Sequence, residues 1–149
     1  MIRPYQSADK KSVLGIFDAN TPQYFHLSER AGLEQYLDTE LEDYFVLELD
    51  GQIIGSGGLN YQHDKSAAVF SWAMILPSFH SKGHGTRLVA HRLSHLTATV
   101  PHYRVQVRTS QHTYRFYEKM GFTLQQVVKH YWAPDMHLYD MVFQKTSDL

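Results

Sequence analysis

Residues 67–76 (AAVFSWAMIL) form a run that is almost wholly apolar, opened by the polar turn His63-Asp64-Lys65-Ser66 and closed by Pro77. Such a run is either a strand buried on both faces or a helix. Its length, its turn-like flank and the proline favour the strand. Gly83 then opens a helix to about Leu96, with Val89, Leu93 and Leu96 at helical spacing, and residues 103–108 (YRVQVR) alternate as a strand. Strand, helix and strand in this order make one β-α-β crossover, which requires a locally parallel pair.

The remaining elements fit around that unit. Residues 2–5 read as a short first strand. Ser7 is the expected N-cap of a helix to about Ala19, with Val13, Leu14, Ile16 and Phe17 in its apolar stripe, and Asn20-Thr21-Pro22 ends it. Ser28 is the expected cap of a second helix carrying Leu33, Tyr36 and Leu37. Residues 44–49 and 52–61 flank Asp50-Gly51, the dipeptide suited to a type I′ hairpin. Residues 113–120 form a short helix stopped by Gly121, and 122–131 and 137–144 are two closing strands. The order is β-α-α-β-β-β-α-β-α-β-β, an α/β (α+β) chain in which an antiparallel meander leads into the crossover.

Composition excludes several classes. The 149 residues suit one domain, at ~100–200 residues per domain, and neither a repeat nor a linker divides them. With zero cysteines there is no disulfide framework, thiol nucleophile or thiolate metal site, which fits a reducing compartment such as the cytoplasm. Fourteen Lys and Arg against fifteen Asp and Glu give a net charge of −1, so no bulk charge draws the chain to nucleic acid or an anionic membrane. No apolar run approaches the ~18–20 residues of a membrane span, and the first residues lack the pattern of a signal peptide.

The segment that carries chemistry is Pro77-Ser78-Phe79-His80-Ser81-Lys82-Gly83-His84-Gly85-Thr86. It joins the buried strand to the third helix and sets two glycines at the helix start. A helix N-terminus offers unpaired N–H groups and partial positive charge, and glycines let phosphate oxygens approach the main chain. Lys82 adds a mobile cation. The segment reads as a pyrophosphate cradle; the competing reading is a plain strand-to-helix turn. It is neither a P-loop, since the lysine precedes the glycines, nor a dinucleotide fingerprint, since position 88 is leucine.

At these residues the chain resembles the GNAT superfamily of N-acetyltransferases. The family signature [QR]-x-x-G-x-[GA] stands here as His80-Ser81-Lys82-Gly83-His84-Gly85, with His80 in the usual Gln/Arg place. A second family segment is matched by Phe116-Tyr117-Glu118-Lys119-Met120-Gly121-Phe122. The resemblance implies a central mixed, mostly antiparallel sheet of about seven strands with helices on both faces. It also implies acetyl-CoA as co-substrate, no metal, and a fourth strand that carries a bulge and splays from the fifth. The backbone of Met74, Ile75 and Leu76 would pair with the pantetheine arm, and N–H groups from Ser81 through Thr86 would hold the pyrophosphate. Ser110 falls where the family often has a cofactor-contacting asparagine, with Gln111 beside it.

Acyl transfer to an amine needs a neutral amine, donors for the oxyanion and a proton for the departing thiolate. The resemblance assigns the last to Tyr117, and an N–H from Ile75 polarises the carbonyl. The general base stays open, because residues 67–76 contain no acid; His26, Glu29, Glu48, His63 and Asp64 are candidates, as is deprotonation through water. Tyr24, Phe25, Trp72 and Trp132 are candidate linings of an acceptor pocket, against their reading as core aromatics. His84, His91 and His95 share a helix stripe but lack the glutamate of H-E-x-x-H, so they read as solvated residues rather than metal ligands.

The expected activity is cytoplasmic transfer of acetyl from acetyl-CoA to a primary amine, in a small molecule or a peptide. The alternative is a non-catalytic acyl-CoA-binding or sensing module. Unpaired edge strands suit a homodimer.

Overall fold

The computed structural model describes residues 1–146. Seven strands, β1 (Ile2–Pro4), β2 (Asp43–Leu49), β3 (Gln52–Tyr61), β4 (Ala67–Ile75), β5 (Tyr103–Thr109), β6 (Thr123–Ala133) and β7 (Met136–Lys145), make one sheet in the order β1-β2-β3-β4-β5-β7-β6. Four α-helices, α1 (Lys10–Ala19), α2 (Arg30–Gln35), α3 (His84–Thr99) and α4 (Tyr114–Lys119), complete the expected order. β1–β2, β2–β3, β5–β7 and β6–β7 pair antiparallel, whereas β4–β5 is parallel, so the sheet is mixed. No described helix is long and apolar enough to cross a membrane.

The chain divides into two compact units: Met1–Asn60 with Ser71–Arg92, and Tyr61–Phe70 with the residues from Leu93 onward. In the first, Asp50 (φ 50°) and Gly51 (φ 79°) both adopt the positive φ of the anticipated hairpin turn. Side chains alternate along β2, and this sorts the helices. Tyr44 and Val46 join Val13, Ile16, Phe17 and Leu33 of α1 and α2 in one buried cluster. Phe45 faces the other way, its ring 4.7 Å from that of His91 on α3. His91 is therefore packed on an aromatic ring, a correction to its reading as a solvated helix residue.

The helix caps also differ from expectation. Ser7 lies inside a 3-10 turn, Ser7–Asp9, and the start of the segment is fixed by Asp9, whose carboxylate accepts the Gln6 N–H (2.8 Å) and both Arg3 Nη groups (2.9 and 3.0 Å). Ser28 likewise lies within a turn. His26 is the N-cap, its Nδ1 accepting the Ser28 N–H (3.1 Å) while Glu29 accepts the His26 N–H (2.9 Å). In both places the carboxylate three residues past the cap accepts the cap's own N–H, the reciprocal half of a capping box.

In the second unit Tyr103, Val105 and Val107 of β5 are buried at alternate positions, as a strand with one face on a core requires. Phe122 packs between Phe70 and Phe143, at 5.5 Å from each ring. Gly121 ends α4 at φ 100°, and a Cβ there would also meet the Phe143 ring at 3.2 Å.

Candidate functional site

In the first unit, the end of β4 and the loop after it bring most of the sequence-selected residues together. Trp72 stands at φ 46° inside the strand. A non-glycine residue there costs about 1–2 kcal/mol and needs support from its surroundings. The support is Tyr44, whose hydroxyl donates to the Trp72 carbonyl (2.8 Å) and lies 3.0 Å from Ser56 Oγ. Tyr44 and Ser56 are buried, and burial pushes the Tyr44 phenol far above its ordinary range, so it stays a donor at any working pH. The strand thus departs from extended backbone at Trp72.

The strand's end is held in the same manner. Ile75 O accepts Asn20 Nδ2 (3.0 Å) and His80 Nε2 (2.7 Å), while Leu76 N–H donates to Ile54 O (2.8 Å). A carbonyl carries no proton, so His80 Nε2 must be protonated. The His80 side chain thus turns back to β4, with its ring edge-on to Tyr24 at 5.1 Å. Asn20 is 3% exposed, and its sequence neighbourhood marks it only as part of a helix stop.

Past His80 the backbone reverses hand twice. Ser81 (φ 60°) and Gly83 (φ 85°) are left-handed, and Lys82 between them is not. Alternation of this kind turns successive N–H groups to one side, the geometry of an anion-binding nest. α3 begins at His84, and Arg87 N–H donates to Gly83 O (3.1 Å), so the N–H groups of the first turn are left to point out of the helix end. Ser81, Lys82, Gly83 and Thr86 are exposed, and beyond the residues on either side of it a Gly83 Cβ would meet no described atom within 4 Å. The near-neutral total charge hides a local excess: no acidic residue occurs between Asp64 and Glu118, where seven Lys and Arg fall. Lys82 and Arg87 are two of them. The fold of residues 81–86 therefore suits a doubly negative phosphate ester on elementary grounds.

The aromatic candidates Phe25 and Trp72 pack against the buried cluster of this unit. Phe17 lies 5.4 Å from Phe25 and 6.3 Å from Trp72, yet both candidates keep part of their surface. Among the candidate bases, Glu48 is paired with Arg3 (3.0 Å) and Glu29 caps His26. Burial raises the Glu29 carboxyl above its usual range, opposed by that backbone hydrogen bond.

In the second unit Tyr117 is 7% exposed, with Phe116 and Phe122 ring centroids at 5.1 and 5.4 Å. Ser110 is buried and its carbonyl accepts the N–H groups of Thr113 and Tyr114 (3.2 and 3.1 Å), forming the turn into α4. Gln111 donates to Asp135 O (2.6 Å) and accepts the His137 N–H (2.9 Å), which ties this turn to the β6–β7 hairpin. Trp132 donates to Thr109 O (3.1 Å). His63 is exposed in its turn, and Asp64 bonds Ser66, which lowers the Asp64 carboxyl. Among the described residues no group of three or more His, Cys, Asp or Glu is placed to hold a metal.

Comparison with known proteins bears on this arrangement. Residues 40–124, which include β4, the loop, α3 and α4, match the family described as acetyltransferase (GNAT) domain. A search of curated proteins by sequence gives no match. Similar solved structures include an aminoglycoside 6′-N-acetyltransferase complexed with coenzyme A (TM-score 0.79, 14% identity, covering 100% of this chain and 99% of that one). Ard1 from Thermoplasma volcanium gives 0.80 at 20% identity, covering 99% and 98%. A ribosomal-protein-alanine N-acetyltransferase from Brucella melitensis gives 0.72 at 15%, covering 96% and 98%. At these identities the likeness is one of fold.

Proposed function

The chain belongs to the GNAT acetyltransferase family, and from that premise we propose that it moves acetyl from acetyl-CoA to a primary amine by direct attack with both substrates bound. The observation that carries this reading is the loop at residues 81–86, with its reversals of backbone hand, exposed helix start and flanking cations, inside the matched segment. Acetyl-CoA supplies the acyl carbon and a thiolate leaving group; the new C–N bond forms as the C–S bond breaks.

The chain's own groups divide the work. N–H groups from Ser81 through Thr86 take the pyrophosphate, with Lys82 beside them. Met74, Ile75 and Leu76 run alongside the pantetheine arm, with the Ile75 N–H as the group offered to it, since the Ile75 carbonyl and the Leu76 N–H are already bonded within the chain. The parallel ladder of β4 supports this, since it reaches only Val69, paired with Gln106. Ile75 N–H polarises the acyl oxygen. Tyr117 gives its phenolic proton to the leaving sulfur, and the attacking amine loses its proton to water or to a base. Ser110 and Gln111, which shape the turn before Tyr117, contact the cofactor. Tyr24, Phe25 and Trp72 line the acceptor's approach, with the acceptor a small molecule or a peptide amine. The whole chain acts as one catalytic domain in the cytoplasm, as a monomer or homodimer, with no metal and no nucleic acid.

Titration with acetyl-CoA by calorimetry tests the first half, with saturable binding expected; absence of heat at millimolar ligand contradicts it. A second reading, binding without transfer, is favoured by the deep burial of Tyr117 among phenylalanines. Acceptor-dependent release of free thiol across an amine panel decides between them.

A further inference from the structure

The peptide joining Ile75 to Leu76 is held at both ends. Its N–H goes to Ile54 of β3 (2.8 Å), and its carbonyl receives Asn20 Nδ2 (3.0 Å) and His80 Nε2 (2.7 Å). In a trans peptide the N–H and C=O point in opposite directions. The Ile75 carbonyl therefore leaves β4 on the edge away from β3. In extended chain a residue's own N–H and C=O share an edge, so the Ile75 N–H leaves by that edge too. An ordinary sheet would set a neighbouring strand's N–H against this carbonyl; two side chains occupy that place instead.

Both side chains are themselves fixed. Asn20 is buried, and its Nδ2 also lies 2.8 Å from Ile16 O at the end of α1. The His80 ring rests edge-on against Tyr24. The two donors come from sequence positions 55 and 5 residues away from Ile75, so the carbonyl ties the end of α1 and the start of the loop to one point on β4.

We propose that Asn20 and His80 are positioning residues: by jointly holding the Ile75 carbonyl they close the strand's outer edge at that residue and keep the Ile75 N–H aimed at the acyl oxygen. The catalytic half of this inference rests on the acetyltransferase reading above. It gives His80 a role through the protein's own backbone, with no proton transferred. Neutral and protonated imidazole alike can present Nε2–H, so the role is the same in either state.

The test compares three variants after thermal melts confirm folding. His80→Phe keeps a ring against Tyr24 and removes the donor. His80→Gln restores a side-chain N–H. Asn20→Asp keeps the shape of asparagine and loses its donors. The carbonyl carbon of Ile75, read through the Leu76 N–H in a triple-resonance spectrum, is expected to move upfield in His80→Phe and Asn20→Asp and to return in His80→Gln.

In kinetics, a misaimed N–H is expected to lower kcat roughly tenfold in the two donor-free variants, with calorimetric affinity for CoA within about threefold of the parent. His80→Gln should recover most of the rate with the same pH–rate midpoint. An unmoved Ile75 carbonyl overturns the proposal. Equal loss of rate and CoA affinity in His80→Phe does so too, and so does a displaced pH midpoint in His80→Gln. Should Asn20→Asp not fold, the two His80 variants decide alone. A parent protein that binds no acetyl-CoA overturns the acetyltransferase reading instead, and the carbonyl shift still reports whether the two donors hold the strand.

Discussion

The two halves of β4 are built by different means. From Ala67 to Val69 the strand is bound by main chain, in a parallel ladder with Arg104–Gln106. From Ser71 to Ile75, where β3 remains its neighbour on one edge, two carbonyls are met by side chains: Tyr44 on Trp72, and Asn20 with His80 on Ile75. A ladder gives a strand stability without caring which side chains it carries. Side-chain donors hold single peptides at chosen angles, and so can keep a bulge and aim an N–H. The first half is scaffold; the second is where the family's chemistry is expected.

Substitutions can break or sharpen that contrast. The largest effect is expected outside both halves: Tyr117→Phe should lower kcat about 100-fold, as loss of a positioned acid does, with CoA affinity nearly intact. Steady-state kinetics paired with calorimetry checks it, and equal loss of both would contradict the acid role. In the ladder half, Val105→Ala empties a fully buried position opposite Ala68 and should cost about 2 kcal/mol in denaturant unfolding while changing kcat less than about threefold. In the side-chain half, Tyr44→Phe leaves the Trp72 carbonyl without its donor. A cost of about 1.5 kcal/mol is expected, together with a several-fold loss of kcat. If the two variants give the same ratio of rate loss to stability loss, the distinction between the halves fails.

The smallest effect comes from a site remote from β4. Arg3, with help from the Gln6 N–H, holds the Asp9 carboxyl below its ordinary value of 3.8. The folded-state pKa is the lower one, so the stability Asp9 contributes is whole above the ordinary value and is lost as pH falls through the depressed one. Asp9→Asn should cost about 1 kcal/mol at neutral pH. Its stability should change less than the parent's on acidification below pH 4, as read from unfolding curves at several pH values.

Which features were legible in the sequence follows the same division. Periodicity reported the alternating β5 and the helices, because burial on a face repeats along the chain, whereas β4 was marked as a whole by its apolar run, its polar flank and Pro77. The Asp50-Gly51 turn and Gly83 were legible because positive φ demands particular residues. Asn20 and Tyr44 were not, since each acts on a peptide far along the chain and nothing in its own neighbourhood marks it. The serines at 7 and 28 misled because the caps are Gln6 and His26, one and two residues earlier, each with its N–H held by the carboxylate three residues on. The cationic stretch between Asp64 and Glu118 was open to sequence reading, and the balanced total concealed it.

The proposed function stands on the main chain of residues 81–86 gripping the diphosphate of CoA. Backbone amide resonances of Ser81 through Thr86, followed while CoA is added, test it most directly. These amides are expected to shift together and to saturate with the calorimetric affinity. Amides that stay in place while CoA binds, or while acetyl transfer proceeds, would contradict it.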